Sequence, residues 1–241
     1  DFASDGTLPI SRQIEAAKAL LAKKLSHREK VKYISYFQAY TNTYAPVDYL
    51  RRIYREAIVP EDIVGLSVAT RPDVLPVEVL ALLQEVASHK MLWVELGLQT
   101  IHPTTAKYIR RGYSLDCFER AFHALKEIGA EVVVHVILGL PGETREDMLA
   151  TVRYLADLKI DGIKLQLLHV LKGTDLAREY LAGNFEVLTM EAYVSIVREC
   201  LTIIPPETVV HRVTGDGPRK LLLAPLWSTD KKRILNQILR P

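Results

Sequence analysis

Short runs rich in β-branched residues alternate with helical patterns along most of this chain. Each strand-plus-helix unit takes roughly 30 residues, and that rhythm predicts βα repeats around a parallel sheet. The runs cover residues 31–37, 63–68, 92–98, 131–138 and 160–168. Several are nearly continuous apolar segments, as at Val132-Val133-Val134. Strands buried on both faces read this way, whereas half-exposed strands alternate. Helical patterns at 11–25, 47–57, 76–88, 114–128 and 144–158 fill the intervals. Thr144 followed by Asp147 offers side-chain acceptors to the free N–H groups of a helix start, and Gly129 suits a left-handed stop after Ile128. Pro76 has no N–H to lose in a first helical turn.

A helical pattern precedes the first run. The expected architecture is therefore α/β: a partial (β/α)6 open TIM-like barrel of parallel strands whose first strand is missing, lying before Ser11. Residues 1–204 are assigned to this barrel, incomplete at its N-terminus. After the fifth run come a polar loop at 169–174 and helical patterns at 175–181 and 189–203, closed by Pro205-Pro206. Residues 205–241 read as a C-terminal extension: a short strand at 208–213, a loop at 214–218 and a helix near 228–239. The opening Asp1-Phe2-Ala3-Ser4, without a methionine, is expected to follow a segment removed upstream.

Composition excludes several classes. With 49% hydrophobic and 25% charged residues the chain has the make-up of an ordinary globular protein. No apolar run reaches membrane-spanning length, and no signal-peptide pattern opens the chain, so a cytoplasmic location without a membrane partner is expected. A formal net charge of +2 makes no strong electrostatic case for nucleic acid, although Arg219, Lys220, Lys231, Lys232 and Arg233 make the C-terminal end mildly basic. The two cysteines, Cys117 and Cys200, sit in separate helical patterns and define neither a disulfide framework nor a metal site.

In a parallel (β/α) barrel the chemistry gathers where the strands end. The first run ends Tyr36-Phe37-Gln38-Ala39-Tyr40-Thr41-Asn42-Thr43-Tyr44, a cluster of amides and hydroxyls able to hold a zwitterion without adding charge. The second ends Thr70-Arg71-Pro72-Asp73, the third Glu95-Leu96-Gly97-Leu98-Gln99-Thr100, the fourth Gly139-Leu140-Pro141-Gly142-Glu143-Thr144 and the fifth Gln166-Leu167-Leu168-His169. Glu95 is a carboxylate inside an apolar strand, so a ligand or a structural arginine should lie near it. Arg71 fits that structural role as well as it fits a ligand carboxylate. His135 interrupts an apolar run either as a hydrogen-bonded core residue or as a ligand group. Lys164 and Gln166 share one strand face, and His169, His211 and Asp216 are candidates for the substrate side.

Taken together, these ordered segments resemble the radical S-adenosylmethionine superfamily, most closely its Elongator-catalytic-subunit-like subgroup, from Ser11 to Leu181. The 36–44 segment and the 211–218 loop are similar to those of a small bacterial group of uncharacterised radical enzymes. The resemblance implies a 4Fe-4S cluster and S-adenosylmethionine, which together generate a 5′-deoxyadenosyl radical for hydrogen abstraction from a substrate not identified by sequence. It also implies an electron donor such as flavodoxin or ferredoxin, and it raises RNA as a substrate. By position, Gln38, Tyr40 and Thr41 match the methionyl-amine site, Arg71 the carboxylate partner, and Glu95 and Gln99 the ribose contacts. The adenine would lie along Val136–Gly139 and Gln166–Leu168, which brings in Ile137, Gly139, Gln166 and Leu168, with His135 beside them. The cluster cysteines are expected upstream of Asp1 as Cys-x-x-x-Cys-x-x-Cys, which would leave this chain alone inactive and cluster-free. Gln38, Arg71, Glu95, His135 and Gln166 are expected to converge on one opening. Two alternatives stand beside this reading: an acid–base barrel using Glu95, His135 and Asp73, and a nucleoside- or partner-binding barrel without catalysis.

Overall fold

A computed structural model describes residues 7–27, 30–38, 40–215 and 217–239. In chain order its elements are α1 (Ile10–Leu25), β1 (Tyr33–Phe37), α2 (Val47–Ile58), β2 (Ile63–Thr70), α3 (Val77–Ala87), β3 (Met91–Gln99), α4 (Pro103–Tyr108), α5 (Leu115–Glu127), β4 (Glu131–Leu138) and α6 (Arg145–Asp157). There follow β5 (Gly162–Leu167), β6 (Val170–Leu171), α7 (Asp175–Leu181), α8 (Met190–Ile203), β7 (Val209–Arg212), β8 (Leu222–Ala224) and α9 (Lys231–Leu239). The main sheet has the order β1-β2-β3-β4-β5-β7, and β6 and β8 form a separate antiparallel pair. The strand expected at 208–213 is thus part of the main sheet, where it pairs in parallel with β5.

The chain divides into two compact units, Asp1–Leu96 with Asp116–Val132, and Gly97–Leu115 with Val133–Pro241. In the first, β1 and β2 pair in parallel, as do β2 and β3. The two-residue period sorts the side chains. Leu66, Val68, Leu92, Val94 and Leu96 are buried on one face, together with Thr70. Their alternates, Ser67 beside Trp93 and Ala69 beside Glu95, share the other. The apolar core of this unit also takes Leu50 and Tyr54 from α2, Leu82 and Leu83 from α3, and Phe118 and Leu125 from α5.

In the second unit Val134, Val136 and Leu138 of β4 and Ile163, Leu165 and Leu167 of β5 are buried together with Leu149, Val152 and Leu155 of α6. The alternate face carries His135 beside Lys164 and Ile137 beside Gln166. The start of α6 is fixed as its sequence demands: Thr144 accepts from the Asp147 N–H while the Asp147 carboxylate accepts from the Thr144 N–H, a complete capping box. Gly129 adopts φ 82° at the end of the α5 segment, the left-handed stop expected there. Pro76 stands one residue before α3 rather than inside its first turn.

Candidate active site

In the first unit the loop after β1 is tied to the end of β2 by Asn42 and Thr43. The Asn42 amide donates to the Phe37 and Ala69 carbonyls, both at 3.0 Å. Thr43 Oγ1 donates to the Val74 carbonyl at 2.7 Å and lies 2.5 Å from Thr70 Oγ1. These anchors hold up a segment whose other polar groups face outward. Gln38 is exposed, Thr41 is half-buried, and Tyr40 is 97% exposed with φ 62°.

Glu95 is buried, and the Tyr36 hydroxyl donates to its Oε2 at 2.6 Å, a charge-assisted bond that offsets part of the desolvation cost. Arg71 grips Asp73 with a two-pronged fork, Nε to Oδ1 at 2.9 Å and Nη2 to Oδ2 at 2.7 Å. This bond holds the Asp73 carboxyl below the usual carboxylate range. On the same strand face as Glu95, Ser67 Oγ is buried with no hydrogen-bond partner among the described residues. A buried hydroxyl without a partner costs stability.

In the second unit Gln166 Nε2 and His135 Nδ1 are 3.0 Å apart, so these two predicted residues form one polar pair on the β4–β5 face, with half-buried Ile137 beside Gln166. Leu168 is buried, and its N–H donates to the Leu138 carbonyl at 3.0 Å, joining the ends of β4 and β5. Gly139 follows β4 with φ 88°, and a β-carbon there would meet Leu188 Cδ1 at 3.0 Å. The backbone conformation therefore calls for glycine, and a β-carbon would in addition press on the Leu188 side chain.

His169 packs against the backbone of Gly215 and Gly217, and burial, aided by the Lys231 charge, pushes its imidazole pKa down. His211 lies against Gly162, where a β-carbon would meet its Nε2 at 2.7 Å. Asp216 lies outside the described residues.

Sequence reasoning passed over several groups in both units. Tyr36 and Ser67 read as ordinary strand residues. Thr100 donates to Glu143 Oε1 at 2.5 Å. Arg111 and Tyr113 bond to the end of β3. Only Tyr113, a tyrosine next to Gly112 in a polar loop, carried a local hint.

A four-iron cluster requires converging thiolates. Cys117 is half-buried on α5. Cys200 is buried on α8, and burial pushes its thiol pKa up to about 12. Among the described residues no group of three or more His, Cys, Asp or Glu is placed to hold a metal ion. These residues do not fit a cluster. Within the first unit the Tyr36 and Ser67 hydroxyls share a strand face with the Glu95 carboxylate, a donor and acceptor set whose chemistry suits a polar nucleoside ligand, and Ser67 Oγ has no partner among the described residues.

Residues 3–155 match the model of the Radical SAM superfamily, and residues 160–240 match that of the Radical_SAM C-terminal domain. The chain belongs to the radical SAM superfamily, whose cofactors are S-adenosylmethionine and a 4Fe-4S cluster. It is 44% identical over 238 residues to the protein YtqA of Bacillus subtilis, covering 99% of this chain and 73% of YtqA. Elongator complex protein 3 of Danio rerio is 28% identical over 162 residues, 66% of this chain and 29% of that protein. The archaeal Methanocaldococcus infernus Elp3 with an N-terminal deletion superposes with a TM-score of 0.78 at 21% identity, over 97% of this chain and 60% of that one. The fold is accordingly α/β, of the radical SAM partial-barrel type. No helix among the described residues is long and apolar enough to cross a membrane.

Proposed function

We propose that this chain is the S-adenosylmethionine-binding part of a radical enzyme that abstracts hydrogen from its substrate. Within a radical SAM chain, the observation that carries this reading is the buried Glu95 carboxylate held by the Tyr36 hydroxyl. When bound, the cluster and S-adenosylmethionine supply the deoxyadenosyl radical. The first unit contributes Gln38, Tyr40 and Thr41 toward the methionyl amine, Arg71 toward its carboxylate and Glu95 toward the ribose hydroxyls. The second contributes Gln99 to the ribose, and His135, Ile137, Gly139, Gln166 and Leu168 along the base. Asp73 holds the Arg71 fork in a fixed plane, so a ligand carboxylate must share that guanidinium.

The cluster thiolates, on this reading, come from a segment outside the present residues. A groove of about 970 Å³ bounded by α1, β1 and α2, and lined by Leu8, Ile14, Tyr33, Phe37 and Ile53, offers that segment room beside β1, the end strand of the main sheet. A flavodoxin or ferredoxin is the matching class of electron donor. RNA as substrate rests on the likeness to Elongator complex protein 3, and exposed Arg219, Lys220, Lys232 and Arg233 are where such contacts belong. Family membership lends no support to the acid–base or non-catalytic alternatives.

Two measurements test the proposal. After anaerobic reconstitution with iron and sulfide, the full-length protein should release 5′-deoxyadenosine on reduction, and the 241-residue chain alone should hold no stoichiometric cluster. In calorimetry with S-adenosylhomocysteine on the loaded full-length protein, Glu95→Ala should weaken binding far more than Cys117→Ala. Equal and negligible effects of the two substitutions would overturn the ribose assignment.

A further inference from the structure

The last residues of β3 turn through a strained backbone conformation. The Thr100 N–H donates back to the Leu98 carbonyl at 2.8 Å, closing a three-residue turn with Gln99 at its centre and φ 63°. A non-glycine residue in that region carries strain that surrounding structure must offset.

Here the turn is held from three sides. Arg111, buried, donates from Nη1 to the Leu98 carbonyl at 3.1 Å and to the Thr100 carbonyl at 2.6 Å. Its Nε donates to the Tyr113 carbonyl at 3.0 Å, and its guanidinium stands 5.0 Å from the centre of the Tyr113 ring. Glu143 takes the Thr100 hydroxyl at 2.5 Å.

The third hold acts on the side chain itself. The Tyr113 hydroxyl lies 2.9 Å from the Gly97 carbonyl and 3.1 Å from Gln99 Oε1. Gly97 makes room for this arrangement, since a β-carbon there would fall 2.6 Å from Gln99 Nε2 and 3.1 Å from the Tyr113 hydroxyl. The single phenol proton is shared between the Gly97 carbonyl and Gln99 Oε1, and the part that reaches Oε1 favours the amide orientation with its oxygen toward Tyr113 and its NH2 turned away from the ring. Three side chains, two of them bonded to each other, restrain one strained turn at a strand's C-terminal end, where barrel sites gather their chemistry.

We propose that Tyr113 is a positioning residue that fixes the Gln99 amide with its N–H donors toward the S-adenosylmethionine ribose, and that Gly97 is required to seat it. This deepens the cofactor-site reading above and rests on it. The gain is preorganisation: a glutamine free to flip presents donor and acceptor about equally, whereas one biased by the Tyr113 hydroxyl presents mainly the donor.

The test is S-adenosylhomocysteine calorimetry on the loaded full-length protein, with thermal melting of each variant alongside. Tyr113→Phe keeps the ring under Arg111 and removes only the hydroxyl. It should weaken binding roughly three- to tenfold, the scale of one lost orienting hydrogen bond. Gly97→Ala should weaken it similarly by displacing the amide. In a Gln99→Ala background Tyr113→Phe should add nothing, because its effect passes through the glutamine. A ligand-free readout is the 15N side-chain amide signal of Gln99, which should move or broaden in Tyr113→Phe and hold in Cys117→Ala. If Gln99→Ala weakens binding and Tyr113→Phe does not, the positioning role is wrong. If Gln99→Ala itself has no effect, the ribose assignment of Gln99 fails and the positioning role goes with it. An additive loss in the double variant would also overturn the proposal.

Discussion

At Glu95, the phenol of Tyr36 is one of the groups that make a buried carboxylate tolerable on the face of β3. Removing it in Tyr36→Phe leaves that charge short of a hydrogen bond, a loss of about 1–3 kcal/mol. Melting should fall by roughly 2–12 °C for a chain of this size, and Glu95→Gln should recover part of that loss in the Tyr36→Phe background by removing the charge. A melt in which Tyr36→Phe matches the parent would show that the bond contributes nothing. The need for a partner at Glu95 was legible, because a carboxylate in an apolar run is costly alone. The identity of this partner was not. Tyr36 is 59 positions away in sequence, and inside Tyr-Ile-Ser-Tyr-Phe it reads as one more strand aromatic. Arg71, which sequence reasoning weighed equally as a structural partner of Glu95 and as a ligand group, forks onto Asp73 two residues along, a local bond that strand-end reading overlooked. His135 and Gln166 are different: each was marked as a polar residue in an apolar strand, and register sets them side by side.

Among the elements, strands long enough to show a two-residue period or an unbroken apolar run were legible, and so were helices with capping signals. β2, β3 and β4, of eight, nine and eight residues, lie where the apolar runs fall. The two- and three-residue strands β6 and β8 hold too few positions to establish any period, and their pairs, Val170 with Ala224 and Leu171 with Leu222, are too distant in sequence for a local pattern to announce. The short helix α4 was hidden for a related reason. Its His-Pro start looks like a loop, and its six residues complete less than two turns. The capping box of α6 was foreseen in detail, and it allows a quantitative expectation. Thr144→Ala removes the acceptor for the Asp147 N–H and should cost about 1 kcal/mol, or roughly 2–4 °C in melting temperature. Thr144→Ser should restore most of it. If Thr144→Ser melts as low as Thr144→Ala, the threonine methyl rather than the cap is what matters.

Across the whole molecule, the response to pH is set by groups whose shifts have opposite signs. Asp73, Asp147 and Asp175 are each held below the ordinary carboxylate value, first of all by hydrogen bonds from Arg71, Thr144 and Arg110 respectively. A depressed carboxylate adds stability above its unfolded value, and that stability is lost as pH falls through the folded one, so these three, with Glu56 and Glu85, which are also held low, contribute to the acid limb below about pH 4. His169 works higher on the scale. Burial lowers its pKa, with the Lys231 charge adding to the effect, so the folded chain prefers the neutral ring. Its contribution is full above the unfolded value near 6.5 and declines as pH falls through the lower folded value. Glu143 has the reverse sign. Burial raises its carboxyl despite the Thr100 hydrogen bond, so its contribution is full below the unfolded value of about 4.5 and is lost as pH rises through the folded value. Calorimetric melting from pH 8 to pH 4 at fixed ionic strength should therefore show a first decline between pH 7 and 5, and His169→Gln should flatten it. Glu143→Gln, which keeps an acceptor for Thr100, should melt higher than the parent at pH 7, with the advantage vanishing near pH 4. A Glu143→Gln variant that gained its advantage only on acidification would reverse the sign assigned to this carboxyl, and with it the account of Glu143 as a half-buried acid restraining the β3 turn.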